Sequence, residues 1–337
     1  MDSKITKKRL SNFLSYEWIV LIIFCVLSII VLELVYTMTS VRLTVGQKFK
    51  FYYDYDLYSG ANTQLVEHLK KDKAFSYEVQ NLSAEWLLEA NDLLNTRLSI
   101  YDGDMLFTDD RVPAEDSTRK NVLAKSRVDA TKIYIMKDLH EDAKAYLRTM
   151  LKDGLSQDKE LEFEYSNLDE QKIEQGFHSR LGKDNRFRTA EQKAEGIRLE
   201  KERIQRLCQD VKDFKKILEL PDEYFFCYTR FSQKLETVKL ENDRSLIETY
   251  QKAYDTEINT PGRVNARYGL RVDMLKQRSG QGKKDPTEFF NYAYQDPASS
   301  NNVMIMVFDL QEQQPELQFE CISVINSIVR ACSTILD

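Results

Sequence analysis

Residues that interrupt regular structure are scarce in this sequence of 337 residues, which contains only 11 glycines and 6 prolines. Glycine and proline are the strongest punctuators of local structure. Lys, Glu, Gln and Leu, which are strong helix formers, are abundant. The composition therefore predicts a helix-rich chain.

Residues suited to metal binding or nucleophilic catalysis are also few. The three histidines are His68, His140 and His178, and their spacing indicates no pairing. A zinc motif could begin at His140–Glu141, but Lys144 stands where that motif needs its second histidine. We therefore predict no metal site, no cofactor and no catalytic residue.

The five cysteines form no recognisable framework. No C-x-x-C pair occurs, Cys25 lies in an apolar stretch, and the other four are scattered along the chain. This distribution excludes a disulfide-stapled module and a zinc module. We expect buried free thiols, with a single Cys208–Cys227 bridge as the alternative.

An excess of positive charge is absent as well. The formal net charge is −6, and 30% of the residues are charged. Proteins that bind nucleic acid usually present a strongly basic face. We therefore predict no nucleic-acid partner.

One long apolar stretch is present, from Trp18 to Met38. Glu33 is its only charged residue. At ~1.5 Å per residue, a helix of this length spans the ~30 Å core of a bilayer. Tyr16, Trp18 and Tyr36 lie near its ends, where amphipathic rings favour the headgroup region. We predict a retained transmembrane anchor.

The residues that flank this stretch predict its orientation. The preceding segment is rich in basic residues, namely Lys4, Lys7, Lys8 and Arg9. This favours a cytoplasmic N-terminus and an extracytoplasmic location for residues 39–337. Three alternatives stay open: a cleaved signal peptide, although no A-x-A site follows; a lipoprotein signal, although no small residue precedes Cys25; and a buried helix of a soluble protein.

The region after the anchor alternates between strand and helix patterns. It contains strands at Lys48–Leu57, Phe75–Leu82 and Met105–Thr108, joined by helices at Asn62–Asp72 and Ser83–Arg97. Connections of this length predict parallel strands with right-handed crossovers. Ligands of such sheets gather at the carboxyl ends of the strands, so we expect a binding site there.

The middle of the chain is more charged and helical. We predict a strand core at Lys132–Met136, followed by helices over 142–150 and 159–218. From Ile197 to Leu218 apolar residues recur at heptad spacing, and Glu200 interrupts them. Two interpretations stay open, a helical hairpin packed on a lobe and a helix that binds a partner.

The last third of the chain contains further apolar segments. Tyr224–Thr229 predicts a buried strand or hinge, and Asn302–Leu310 predicts an apolar strand. The final helix, Pro315–Leu336, carries an apolar stripe that we assign to core packing. Phe289–Tyr294 contains tyrosines that could stack on a ligand, with core packing as the alternative.

Several of these features resemble the extracellular solute-binding proteins of bacterial ABC importers. They are the apolar helix, the alternating strands and helices, the turn Gly103–Asp104–Met105–Leu106, the segment Arg267–Tyr268–Gly269–Leu270 that enters a strand, and the late strand with its closing helix. The resemblance implies two α/β lobes around a cleft, joined by hinge segments, and no catalysis. It also implies a small polar solute as ligand and makes an ABC permease a candidate partner.

The fold class that we predict is α/β, with one transmembrane helix followed by a two-lobe, periplasmic-binding-protein-like fold. The domain boundaries are a cytoplasmic tail at 1–17, the anchor at 18–38, a first lobe at 39–140, a helical insertion or second-lobe helices at 141–220, and a second lobe with the return to the first at 221–337.

The predicted function is non-covalent capture of a sugar or peptide-like solute in the cleft. The candidate ligand residues are Tyr58, Ser59 and Asn62 at the first turn, Asp109 and Asp110 after the third strand, and Tyr268 and Tyr292 from the other lobe or hinge. An envelope scaffold or interaction protein that uses the same fold without a solute is the second hypothesis. An enzyme that uses paired carboxylates such as Asp109–Asp110 is the third.

Overall fold

The computed structural model describes residues 7, 11, 18–39, 43, 47–54, 59–87, 96–97, 100, 102–109, 132–155, 163–181, 184–227, 265–291, 301–309 and 319–337. Contacts divide the chain into two compact units, Met1–Arg42 and Leu43–Asp337.

The first unit contains helix α1, Trp18–Thr39. Its large apolar side chains are exposed, and Phe24 and Leu32 keep 71% and 67% of their surface accessible. Over Trp18–Tyr36 the helix is long and apolar enough to cross a membrane, which agrees with a single-pass anchor or a signal sequence. Apolar surface is stabilised by removal from water, as in the core of a bilayer.

The second unit is built on a six-stranded mixed sheet. Its strands, in chain order, are β1 Lys48–Asp54, β2 Asn81–Leu87, β3 Met105–Asp109, β4 Phe225–Phe226, β5 Gly269–Arg271 and β6 Val303–Val307. The spatial order is β2-β1-β3-β6-β5-β4. Strand β1 is parallel to β2 and β3, whereas β6 is antiparallel to β3 and β5, and β4 is antiparallel to β5. The C-terminal part of the chain therefore completes the sheet that the N-terminal part begins.

Five α-helices among the described residues of the second unit accompany this sheet. They are α2 Ser59–Lys71, α3 Met136–Arg148, α4 Glu170–Leu181, α5 Ala190–Leu218 and α6 Glu320–Cys332. Helix α5 packs against α3, α4 and α6. Sheet and helices share one hydrophobic core, in which Phe51, Phe107 and Ile305 of the sheet join Phe214 of α5 and Ile325 of α6.

Most predicted elements are confirmed. The described parts of the first, third and late strands match β1, β3 and β6, and the parallel pairing of the first three strands is as expected. The buried segment after Tyr224 contains β4, and the predicted stripe of the final helix is buried on α6. The four cysteines beyond Cys25 are buried and free, so the Cys208–Cys227 bridge is absent.

Two predictions are wrong. The second strand begins at Asn81, not at Phe75, and Ser83 lies inside it and does not cap a helix. The alternation of the preceding residues belongs to a turn, in which Phe75 packs its ring on Phe49 at 5.0 Å. In the middle region Ile133 forms only an isolated bridge with Phe308, and helix α3 begins at Met136, where a strand was expected to end.

The break in the heptad pattern of α5 has a local cause. Glu200 is fully buried and receives hydrogen bonds from Arg203 and from the hydroxyl of Tyr77, at 2.8 Å each. Arg180 of α4 lies 2.7 Å from the same carboxylate. The polar interruption thus joins α5 to α4 and to the turn before β2 inside the core.

Candidate ligand site at the carboxyl edge of the sheet

The carboxyl ends of the three parallel strands meet at one edge of the sheet, which we call the carboxyl edge. Asp54, the last residue of β1, is level with the last residue of β2. On the other side of β1, Tyr53 is level with Phe107 of β3. Strand β6 begins at this edge, where Val303 pairs with Asp109. Ligands of open α/β sheets bind at such edges.

Tyr53 and Asp109 lie on the same face of the sheet. Side chains alternate between faces along a strand, so Asp109 shares a face with Phe107. The ring of Tyr53 lies 4.8 Å from that of Phe107, on the same side. Both Tyr53 and Asp109 are 1% exposed. Diagonal residues of neighbouring strands are ~7–8 Å apart, which one small ligand can bridge.

The hydroxyl of Tyr53 is buried without a hydrogen-bond partner among the described residues. Burial raises the pKa of Tyr53 well above its ordinary value, so the phenol is neutral and can donate a hydrogen bond. A buried hydroxyl without a partner costs about 1–3 kcal/mol. Such groups are rare in native proteins, and an ordered water, an ion or a function usually explains them.

A second unsatisfied polar atom belongs to Asn291. The ring of Phe290 lies 5.0 Å from that of Phe107, so Phe290 packs on this side of the sheet, and Asn291 follows it in the chain. Asn291 donates through Nδ2 to the carbonyl of Thr287 at 3.0 Å. Its Oδ1 is buried and has no partner in the described part of the chain. This side of the sheet thus carries a hydroxyl donor and a carboxylate, and an unsatisfied amide acceptor belongs to the residue next to Phe290.

The helix after the first strand begins three residues earlier than predicted, so Ser59 belongs to the helix and not to a turn before it. Ser59 begins α2, and Asn62 follows in the first turn of that helix. The first N–H groups of a helix lack partners within the helix and can hold a ligand oxygen. Tyr58, Asp110 and Tyr292 lie outside the described residues.

Tyr268 lies at the opposite end of the sheet. It precedes β5, in which Gly269 pairs with Met306, and Met306 pairs with Leu106 near the start of β3. At ~3.3 Å per residue, this level is on the order of 10 Å along the strand from Asp109. Tyr268 is fully buried, and the structure does not bring it together with Asp109.

Sequence analysis missed Tyr53 and Asn291. Tyr53 lies in an aromatic strand, where its ring predicts core packing and its hydroxyl gives no separate signal. Asn291 belongs to the stretch Phe289–Tyr294, in which only the tyrosines were considered as ligand residues.

Other reactive side chains form no second centre in the described part of the chain. No group of three His, Cys, Asp or Glu side chains among the described residues could hold a metal ion. The ring of His140 lies 3.1 Å from the carbonyl of Val211, and that of His68 lies 3.3 Å from the hydroxyl of Ser327. Burial lowers the pKa of both histidines, which favours neutral rings with structural contacts.

No protein-family model, curated protein or solved structure matches this chain. The structural class of the protein is therefore defined by its fold and its candidate site alone. It is a mixed α/β protein with an N-terminal helix that is apolar enough to cross a membrane.

Proposed function

We propose that this protein is a membrane-anchored binding protein that captures a small polar solute at the carboxyl edge of its sheet. The observation that supports this most directly is the buried hydroxyl of Tyr53, which lacks a hydrogen-bond partner among the described residues. Tyr53 lies on the same face of the sheet as Asp109. A solute that hydrogen-bonds this hydroxyl would remove the cost of leaving it unsatisfied.

The chemistry of the site favours a neutral, hydroxyl-rich or amide-rich solute. Tyr53 offers a donor, whereas Asn291 Oδ1 and the carboxylate of Asp109 offer acceptors. The aromatic rings of Phe107 and Phe290 supply apolar surface next to these groups. Sugars and peptide-like molecules combine such polar edges with apolar faces, and we assign the site to that class.

The proposal includes the two-lobe arrangement that the resemblance to solute-binding proteins implies. The path of the chain supports this arrangement. Strand β6, from the C-terminal part of the chain, returns to the sheet and pairs with β3 of the N-terminal part. The residues from Leu43 onward cluster as one compact unit. Closure of a second lobe over the solute is therefore the part of the proposal that needs its own test, a decrease in radius of gyration when solute is added.

The proposal extends to location and partner. We propose that α1 is retained, that residues before it lie in the cytoplasm, and that the sheet unit is extracytoplasmic. In this orientation captured solute would be delivered to an ABC permease or to another envelope protein. No covalent step is part of the proposal.

Thermal unfolding of the full chain in detergent, measured against sugars, oligosaccharides, amino acids and short peptides, tests solute capture. A ligand at 100 times its dissociation constant adds ~2.7 kcal/mol to the stability of the folded state. We expect an upward shift with one chemical class, which Tyr53→Phe and Asp109→Asn abolish. Tyr52→Phe, on the opposite face of the sheet, should keep the shift.

A flat response from well-folded protein would contradict solute capture. It would instead favour the second candidate function, a non-enzymatic interaction protein of the cell envelope. A specific observation supports that alternative: a large groove lies between α5 and the residues that lead into β2.

A further inference from the structure

A groove with a volume of about 990 Å³ separates α5 from the segment that joins α2 to β2. Its apolar lining includes Phe75, Val79, Leu82 and Leu199, all of which are partly exposed. The groove reaches the start of β2, whereas the carboxyl edge lies at the end of that strand, on the order of 20 Å away for a strand of this length. The two sites are therefore separate.

Most charges that line the groove are neutralised within the protein. Arg198 pairs with Glu202, Arg203 pairs with Glu200, Arg206 pairs with Glu320, and Asp72 pairs with Arg330. The lining contains five basic and two acidic residues, and both acidic residues are among those pairs. Two exposed lysines, Lys70 and Lys73, make no ion pair with any described residue. The groove therefore presents net positive charge above an apolar floor.

The position of Lys73 is fixed by the backbone around it. Lys73 has a positive φ of 53°, a conformation that non-glycine residues adopt rarely. Arg206 donates to the carbonyl of Lys73 at 2.7 Å, which ties this turn to α5. This hydrogen bond holds the backbone of Lys73 next to α5, and Lys73 is one of the residues that line the groove.

Strand β2 supplies the third feature, a sheet edge that no described strand covers. It is an edge strand, and among the described residues no strand pairs with its outer side. Asn81 and Leu82, its first two residues, line the groove. An edge strand offers backbone donors and acceptors to which an extended peptide can add.

We infer that this groove docks an extended acidic segment of a partner protein. Apolar side chains of the segment would lie on Phe75, Val79 and Leu82, and its carboxylates would reach Lys70 and Lys73. A free phosphate or a lipid headgroup would use the lysines alone. An extended peptide uses the charge, the apolar floor and the sheet edge together, so the combination favours a peptide.

Fluorescence anisotropy with the full chain in detergent tests the inference. The probe is a labelled short peptide in which Glu alternates with Val, and a peptide with Lys in place of Glu is the charge control. The double variant Lys70→Glu/Lys73→Glu should weaken binding of the Glu peptide about tenfold or more, because two attractive contacts become repulsive. Lys71→Glu is the matched control, since Lys71 is exposed on the same helix but does not line the groove, and it should bind nearly as the wild type does.

Three outcomes would overturn the inference: equal binding of the Glu and Lys peptides, equal weakening by the Lys71 variant, or attachment only to anionic phosphatidylserine vesicles. Hydrogen exchange of the wild type supplies a measurement that needs no variant. The Glu peptide should slow exchange at residues 75–82 and leave residues 105–109 unchanged. Protection at residues 105–109 alone would assign the peptide to the carboxyl edge and contradict docking in the groove.

Discussion

Tyr52 and Tyr53 are adjacent in β1 and point to opposite faces of the sheet, so their hydroxyls meet different surroundings. The Tyr52 hydroxyl donates to the carbonyl of Asp102 at 3.1 Å and accepts from Arg97 at 3.3 Å. The Tyr53 hydroxyl has no partner among the described residues. Tyr52→Phe should lower the free energy of unfolding by about 1–2 kcal/mol, whereas Tyr53→Phe should leave it unchanged or raise it.

Urea denaturation of the two variants without solute measures this difference. Equal destabilisation by both substitutions would mean that the Tyr53 hydroxyl already has a partner in the free protein. The carboxyl-edge site would then lose its main support.

The buried carboxylate of Glu200 makes stability depend on pH. Burial by itself would raise its pKa, but the charges and hydrogen bonds of Arg203 and Arg180 outweigh burial and lower the pKa from 4.5 to about 2. Because the folded-state pKa lies below the unfolded one, the stabilising contribution is present above pH 4.5 and is lost as the pH falls towards 2.

Glu200→Gln removes this pH-dependent contribution and leaves two arginines without their counter-charge. We expect this substitution to lower the free energy of unfolding by about 3–5 kcal/mol at pH 7. The difference in unfolding free energy between variant and wild type should become smaller below pH 4.5. Urea titrations across this pH range measure it. Glu202→Gln, at an exposed position of the same helix, should follow the wild-type curve, and a constant Glu200→Gln difference at every pH would contradict the assigned ion pairs.

At the residue scale, the sequence predicts which side chains are buried better than it predicts which of them share a site. Asp109 was predicted to follow the third strand directly, and in the structure it is the last residue of that strand. Tyr268 was predicted near a ligand and lies at the other end of the sheet, because position along the chain carries no information about register between distant strands. The partners of Glu200 come from α4, α5 and the turn before β2, and such a long-range combination leaves only a break in a local pattern.

At the element scale, the packing of α4 against α5 depends on a glycine. A methyl group added at Gly196 of α5 would lie 2.4 Å from the ring of Phe177 and 2.8 Å from that of Phe187. These two rings are buried and pack edge to face at 5.3 Å, so neither can move aside easily. By contrast, a methyl group at Gly176 of α4 would have no neighbour closer than 3.9 Å.

Gly196→Ala should therefore destabilise the protein by about 1–3 kcal/mol through overpacking, although alanine is the better helix former. Gly176→Ala should raise stability by about 0.5–1 kcal/mol, because only the propensity gain applies there. Chemical denaturation of both variants under one condition measures the contrast. Similar stabilisation by the two substitutions would show that α4 and α5 do not approach as closely as described.

The elements that sequence predicted well have strong local periodicity or are uniformly apolar. Strands β1, β3 and β6 and helix α6 belong to this group. The failure at β2 has a physical reason: Phe75, Tyr77 and Val79 alternate as strand residues do, yet Tyr77 bonds to Glu200 and Phe75 packs on Phe49. Tertiary contacts of a turn can thus produce the same two-residue period as a strand.

At the scale of the whole molecule, the proposed function requires the sheet unit to lie on the extracytoplasmic side of the membrane. The cysteines of the protein make a direct test possible. Cys208, Cys227, Cys321 and Cys332 are buried, so they should resist a reagent that labels exposed thiols. Cys25 lies in α1, where a bilayer would shield it from a charged, membrane-impermeant maleimide.

Because labelling of the native cysteines should be low, a single new cysteine reports on which side of the membrane its position lies. Ala194→Cys places a thiol at an exposed position of α5, and Lys7→Cys places one at an exposed position before α1. Because the basic flank favours the cytoplasm, we expect intact cells to label Ala194→Cys fully and Lys7→Cys only after permeabilisation. The reverse pattern would place the sheet unit in the cytoplasm, where it could not collect an external solute for a permease.

Release of labelled Ala194→Cys protein into the medium would instead indicate that α1 is cleaved as a signal sequence, because a retained anchor keeps the labelled unit in the membrane fraction.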